Sequence, residues 1–290
     1  MTSTNAQIHP TDVSKPADGV TGVNRAPSVV IFKVSGSDLD DPAFSARFAH
    51  VMAVAARSGE SPIIVHGGGK ELTELLGALK VPTRFVDGLR VTDAKTRDAA
   101  LMVLSGLANK RLVACLLAQG ADAIGLSGLD AGLVRVTPLN AELAFVGKPI
   151  QVRGEWLRQL LERGMLPVIS PMSIGVDGDI YNVNADHVAG AIALALDVHM
   201  LTFVTNVPGV LDGHKSLIPK LGAMQAEALI ADGTVSGGMI PKVRTALEAL
   251  EAGVSRVRIT DLDGVTSGGG TVFVASPAAG LPPDSTALPV

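Results

Sequence analysis

The chain is short of cysteine: 290 residues contain one, Cys115. A single thiol, here inside an apolar helical pattern, closes no intramolecular disulfide and builds no thiolate metal cluster, so a reducing compartment is expected. Basic runs are absent as well. With 24 Lys and Arg against 28 Asp and Glu, the formal net charge is −4, and nothing resembles the positive footprint of a nucleic-acid binder. The longest apolar run, "AGAIALALDVHMLTFV", is interrupted by Asp197 and His199 before it reaches membrane-span length. The first residues lack the charged-then-apolar pattern of a signal peptide. A soluble, cytoplasmic protein acting on a small molecule is the expectation, with no nucleic-acid or membrane partner. Two nucleotide signatures are also missing, the G-x-x-x-x-G-K-[ST] loop and the GxGxxG fingerprint, and the second absence argues against a dinucleotide-dependent oxidoreductase.

What the chain has in quantity is apolar residues, 47% of the total, enough to bury a large core in one large or two medium domains. Residues 1–27 and 277–290 are polar and punctuated by proline and glycine, and are expected to be flexible tails. Between them, strand patterns at 29–34, 62–66, 121–126, 133–136, 143–146, 166–170, 200–205 and 256–260 alternate with helical ones. The helical patterns cover 42–58, 69–79, 93–118 with a break near Gly106, 153–163, 186–196, 222–231 and 241–252. Pro42 and Pro241 suit first helical turns, and Gly59, Gly120, Gly164 and Gly253 suit helix ends. This alternation predicts an α/β fold: an open, mostly parallel central sheet sandwiched between helices, with an antiparallel excursion over 133–146.

In such a sheet ligands bind beyond the carboxyl ends of the strands, so the residues that follow strands carry the chemistry. "VVIFKVSG" puts Lys33 at a strand exit, and "IIVHGGGKE" puts Gly67, Gly68 and Gly69 between a strand and a helix. Backbone N–H groups of such a loop, with the helix N-terminus behind them, make a site for phosphate oxygens. A tight turn would explain one glycine but not three. His66, at the loop base, reads as structural rather than as a catalytic base. In "DGDIYNVNADHVAG", Asn182, Asn184 and Asp186 fall on every second residue, so an extended segment projects all three to one side; helix capping accounts for one of them. Lys242 stands in the first turn of a helix, where a cation opposes the helix dipole unless an anion compensates it, as a bound phosphate would. Arg90, in "FVDGLRVTD", offers a planar fork for a carboxylate, or for a surface ion pair with Asp87 or Asp93.

The order "FKVSG", "VHGGG", "FVDGLRVTD", "ANKRLV", "AIGLSGLD", "YNVNAD", "VTNVPGVLD", "GGMIPK" closely resembles the N-acetyl-L-glutamate kinases of the amino acid kinase family, from about residue 28 to 274. The resemblance implies ATP-dependent phosphorylation of the side-chain carboxylate of N-acetyl-L-glutamate to an acyl phosphate, in arginine biosynthesis. It implies an acceptor-binding and dimerisation lobe over 28–175, a nucleotide-binding lobe over 176–276, and a homodimer. By position, Lys33 and Lys242 flank the transferring phosphoryl group and Asp186 orients both lysines. Gly36, Gly67 and Gly68 offer N–H groups to phosphate oxygens, and Arg90 and Asn182 hold the α-carboxylate of the acceptor, beside the glycine loop. The nucleotide falls on Thr205, Asn206, Val210, Leu211 and Met239. Mg²⁺ is implied as a cofactor held by nucleotide oxygens and water, with no protein ligand assigned. Ser35 stands where the family usually has glycine, and Asn206 where it usually has aspartate. Feedback inhibition by arginine is not expected, since the N-terminal segment and "ITDLDGVTSGGGT" depart from the pattern of arginine-inhibited members. The rival readings are a kinase for carrier-linked 2-aminoadipate or glutamate, in the lysine route, and a non-catalytic nucleotide or amino-acid sensor.

Overall fold

The computed structural model describes residues 28–198 and 200–275; both expected tails, 1–27 and 277–290, lie outside the described residues. Strand β1 (Ser28–Val34) leads through α1 (Gly36–Leu39) and α2 (Pro42–Arg57) to β2 (Glu60–His66). Helix α3 (Gly69–Ala78) and the small hairpin of β3 (Phe85–Val86) and β4 (Leu89–Arg90) come next. A continuous helical rod then runs from α4 (Ala94–Ala100) through a π-helical stretch, Leu101–Ala108, into α5 (Asn109–Ala118). Strands β5 (Ala123–Gly128), β6 (Val134–Pro138) and β7 (Gly147–Val152) precede α6 (Gly154–Glu162) and the long β8 (Leu166–Gly175). The second half holds β9 (Ile180–Tyr181), α7 (Ala185–Leu196), β10 (Leu201–Val204), β11 (Lys220–Gly222) and α8 (Ala223–Ala231). It ends with α9 (Met239–Glu251), β12 (Arg256–Thr260), α10 (Leu262–Ser267) and β13 (Thr271–Val274).

The main sheet runs β11-β13-β12-β10-β1-β2-β8-β6-β7, with β5 and β9 also paired to β8. Its central pairs, β10–β1, β1–β2 and β2–β8, are parallel, as the continuous apolar runs require of strands covered on both faces. β1 sits at the middle. Ile31 faces a cluster built with α6, α7 and α9, while Phe32 faces one built with α2 and α5. Both are almost wholly buried, so truncating Ile31 to alanine is expected to cost about 2–5 kcal/mol.

Three expectations are corrected. The apolar run 143–146 is not a strand: Ala141–Leu143 forms a 3₁₀ turn, Ala144 has φ 54°, and the second arm of the antiparallel excursion is β7, paired with β6. Pro149 disguised it, since an edge strand tolerates a missing N–H that a central strand does not. Gly106 breaks nothing; it lies within the π-helical stretch, which keeps the rod continuous. Pro241 and Lys242 are the third and fourth residues of α9, because the helix starts at Met239. The rod Ala94–Ala118 is also long and apolar enough to cross a membrane by length and composition, with a mean hydropathy of 1.5. Here it packs on the domain through Ala99, Ala100, Val103, Leu104, Leu112 and Leu116.

Candidate active site

Lys33 is the penultimate residue of β1, flanked in register by Phe203 of β10 and Val65 of β2. Its long stem emerges between apolar neighbours, with Nζ 6.0 Å from the Phe203 ring centroid. Nζ meets Asp186 Oδ1 at 2.7 Å, and both side chains are less than one-fifth exposed. An ion pair this sheltered holds its partners far more firmly than a surface pair would, and losing one partner leaves an uncompensated charge. Lys242 and Thr205 line the same pocket. So does Asp38, from α1; burial raises its pKa, against the pull of Lys242 and Lys33. Sequence reasoning missed Asp38, whose only signal was a carboxylate two residues beyond Gly36.

The loop after β1 explains its own serine. Ser35 is the N-cap of α1 with φ −73°, an ordinary value for any L-residue, so the exchange from glycine carries no backbone strain, and its Oγ lies 2.8 Å from Ser37 Oγ. Gly36 is different. A Cβ built there would overlap the Gly68 Cα and lie 2.7 Å from the Gly67 carbonyl carbon, so the two loops touch backbone to backbone. Gly68 then caps α3, whose first N–H groups are orphaned, whereas the Gly67 N–H, expected to face a phosphate, donates to Val34 O at 3.3 Å and ties the glycine loop to the end of β1. His66 is completely buried beneath them, its pKa pushed down to about 4 by desolvation.

A second pocket is lined by Gly67, Gly68, Gly69, Phe85, Arg90, Asn182, Val183 and Asn184, among others. Arg90 is only 9% exposed. Its Nη2 donates to Gly69 O at 3.2 Å and Thr73 Oγ1 at 2.8 Å, its guanidinium lies 4.7 Å from the Phe85 ring centroid, and its buried Nη1 has no hydrogen-bond partner. No ion pair joins it to Asp87 or Asp93 among the described residues; Asp93 instead caps α4 by accepting from Thr96 N at 2.8 Å. A buried guanidinium with one unpartnered nitrogen retains the capacity to donate to a carboxylate. Thr73 was missed from sequence, although helical spacing from Gly69 puts it one turn from the loop, where its hydroxyl donates to Gly69 O at 2.7 Å.

Asn182 donates to Thr92 Oγ1 at 3.3 Å and lines the Arg90 pocket. Asn184 caps α7, accepting from Asp186 N at 2.9 Å. Because the helix begins at Ala185, the alternation ends early: Asn182 and Asn184 face the second pocket while Asp186 turns into the first. The pockets thus adjoin at the positive end of α7. Of the other nucleotide candidates, Val210 is fully buried, its N–H donated to Thr271 Oγ1 at 2.8 Å; Asn206 is exposed; Leu211 pairs with Leu217; and Met239 opens α9. None of these four lines the pocket of Lys33.

Residues 28–261 match the model of the amino acid kinase family. A curated acetylglutamate kinase from Roseiflexus sp. (strain RS-1) is 53% identical over 250 residues, covering 85% of this chain and 94% of its own length. One from Roseiflexus castenholzii (strain DSM 13941 / HLO8) is 50% identical, over 87% and 96%. The solved N-acetylglutamate synthase from Neisseria gonorrhoeae, complexed with coenzyme A and N-acetyl-glutamate, shares the fold: the TM-score is 0.74 at 20% identity, over 87% of this chain and 60% of that one. The chain belongs to the amino acid kinase family, on its acetylglutamate kinase branch.

Proposed function

We propose that this enzyme transfers the γ-phosphoryl group of ATP to the side-chain carboxylate of N-acetyl-L-glutamate, forming an acyl phosphate in arginine biosynthesis. The observation that carries this reading is the adjoining of two pockets at the start of α7, one lysine-rich and one built around the free edge of Arg90. ATP occupies the first, along the 205–212 loop and the start of α9, and the acceptor occupies the second with its α-carboxylate on Arg90 Nη1 and Asn182. The 28–175 lobe brings Arg90 and the glycine loop to the acceptor and the 176–276 lobe brings the 205–212 loop and α9 to the nucleotide, with Asn182 and Lys33 crossing that division.

The acceptor carboxylate has a reference pKa of about 4.3 and is ionised at neutral pH, so no general base is needed. His66, neutral and sealed beneath the loop, is not asked to be one. Catalysis rests on bringing two anions together and neutralising the charge that spreads over the transferring group. Lys33 and Lys242 supply positive charge, Asp186 fixes Lys33, and the N–H groups of Gly36 and Gly68 donate to the phosphoryl oxygens in a site that needs little reorganisation, the Gly67 N–H being given instead to Val34 O. Mg²⁺ entering with the nucleotide would supply further charge neutralisation, held by nucleotide oxygens and water. Asp38, the carboxylate of that pocket not engaged by Lys33, would be the protein group available to it.

The exposed apolar side chains of the long rod, Met102, Leu107 and Leu117, support a homodimer, which light scattering would report as twice the chain mass. The lone Cys115 suits the cytoplasm. Acyl-phosphate trapping with hydroxylamine tests the function directly, offering ATP with N-acetylglutamate, glutamate, aspartate or N-acetylaminoadipate. Hydroxamate is expected with N-acetylglutamate foremost. Turnover confined to another acceptor, or to none, overturns the reading.

A further inference from the structure

The buried pair beneath the glycine loop has a defined proton arrangement. Asn109, fully buried, places Nδ2 2.9 Å from Val168 O, 3.3 Å from Leu126 O and 3.0 Å from His66 Nε2. Its Oδ1 meets Lys110 Nζ at 3.1 Å. Carbonyls only accept and an ammonium only donates, so the amide cannot be flipped: the NH₂ faces the carbonyls and the imidazole. His66 Nε2 is therefore an acceptor. In a neutral ring the proton must then sit on Nδ1, which faces Gly67 O at 3.0 Å and donates to it. Burial keeps the ring neutral at physiological pH.

This hydrogen bond fixes more than one atom. A trans peptide is planar, and its C=O and the following N–H point in opposite directions. With Gly67 O drawn down to the imidazole, the Gly68 N–H is turned to the far side, away from the buried ring. Gly68 is the residue whose backbone abuts Gly36 and lines the Arg90 pocket.

We propose that His66 and Asn109 are positioning residues: Asn109 selects the imidazole tautomer, and His66 Nδ1–H locks the Gly67–Gly68 peptide plane so that the Gly68 N–H meets the transferring phosphoryl group. The assignment rests on the kinase reading above for what the N–H meets, while the tautomer and the peptide lock stand on geometry alone.

Two measurements on the full-length chain test it. In the first, ¹⁵N-histidine-labelled protein without substrate is examined by long-range ¹H–¹⁵N correlation at neutral pH, with His66→Asn identifying the signal among six histidines. A neutral, Nδ1-protonated ring is expected; an Nε2-protonated or charged ring overturns the proposal. In the second, His66→Leu removes the donor, whereas His66→Asn keeps an N–H near the Nδ1 position. Leucine is expected to lower kcat about 10- to 100-fold with KM for both substrates little changed, and asparagine to restore most of that loss. Equal kcat in two folded variants overturns the proposal. If leucine fails to fold, the tautomer measurement still decides. Absence of wild-type turnover on every carboxylate acceptor would sink the kinase reading and leave the tautomer result intact.

Discussion

Replacing Gly36 by alanine separates two explanations of the glycines. The residue has no positive φ, so backbone freedom is not its reason. Its reason is contact: the new Cβ would meet the Gly68 backbone, and neither loop has a flexible side chain there that could yield. Overpacking of this kind costs about 1–3 kcal/mol. The easiest relief is to part α1 from the glycine loop, and a displacement of about 1 Å between groups that hold a transferring phosphoryl can lower kcat roughly 100-fold. Gly69→Ala is the control, since a Cβ there meets nothing within 4 Å and φ is not positive. Chemical denaturation and steady-state kinetics should show Gly36→Ala less stable and slower, with Gly69→Ala within about 0.5 kcal/mol of the parent or slightly improved by helix propensity. A fully active, fully stable Gly36→Ala protein would refute the backbone contact as the basis of the site.

Lys242→Ala is expected to lower kcat by about 10²–10³-fold, because it removes charge felt mainly in the transition state; an unchanged kcat removes Lys242 from the mechanism. Thr73→Val deletes a hydrogen bond to the buried Arg90 guanidinium, worth about 1.5–3 kcal/mol. Acceptor KM should rise roughly 10- to 100-fold while ATP KM holds, and a selective effect on ATP would contradict the placement of Arg90. Ser35→Gly should leave activity within about twofold, since φ −73° already suits serine; a large gain would mean the serine obstructs the site. For His66, the folded pKa near 4 lies below the reference 6.5. The unfolded chain therefore takes up a proton first as pH falls, and stability is level above pH 6.5 and declines towards pH 4. Relative to the high-pH plateau, the loss at pH 5 should be about 2 kcal/mol, and an identical pH slope in His66→Leu denaturation would contradict it.

The elements that place the site were legible because each strand leading to it is a continuous apolar run closing on a polar residue: Lys33 near the end of β1, His66 at the end of β2 before three glycines. Those features depend on chain order alone. The end of the alternation at Asn184 did not, since a helix starting one residue earlier sends Asp186 into a different pocket from Asn182. β7 was hidden by Pro149 and by its mixed edge-strand pattern, and β11 and β13 by their three- and four-residue lengths. Thr73 and Asp38 were illegible for another reason. Each matters through a partner far away in sequence, Arg90 for the first and Lys242 for the second.

The central claim is that the adjoining pockets pass a phosphoryl group from nucleotide to carboxylate, and ³¹P NMR of a running reaction addresses it most directly. With ATP, Mg²⁺ and N-acetyl-L-glutamate, an acyl-phosphate resonance should grow in step with ADP, should need the acceptor, and should vanish in Lys242→Ala. ADP appearing only with inorganic phosphate, or an acyl phosphate formed as fast without Lys242, would contradict the account.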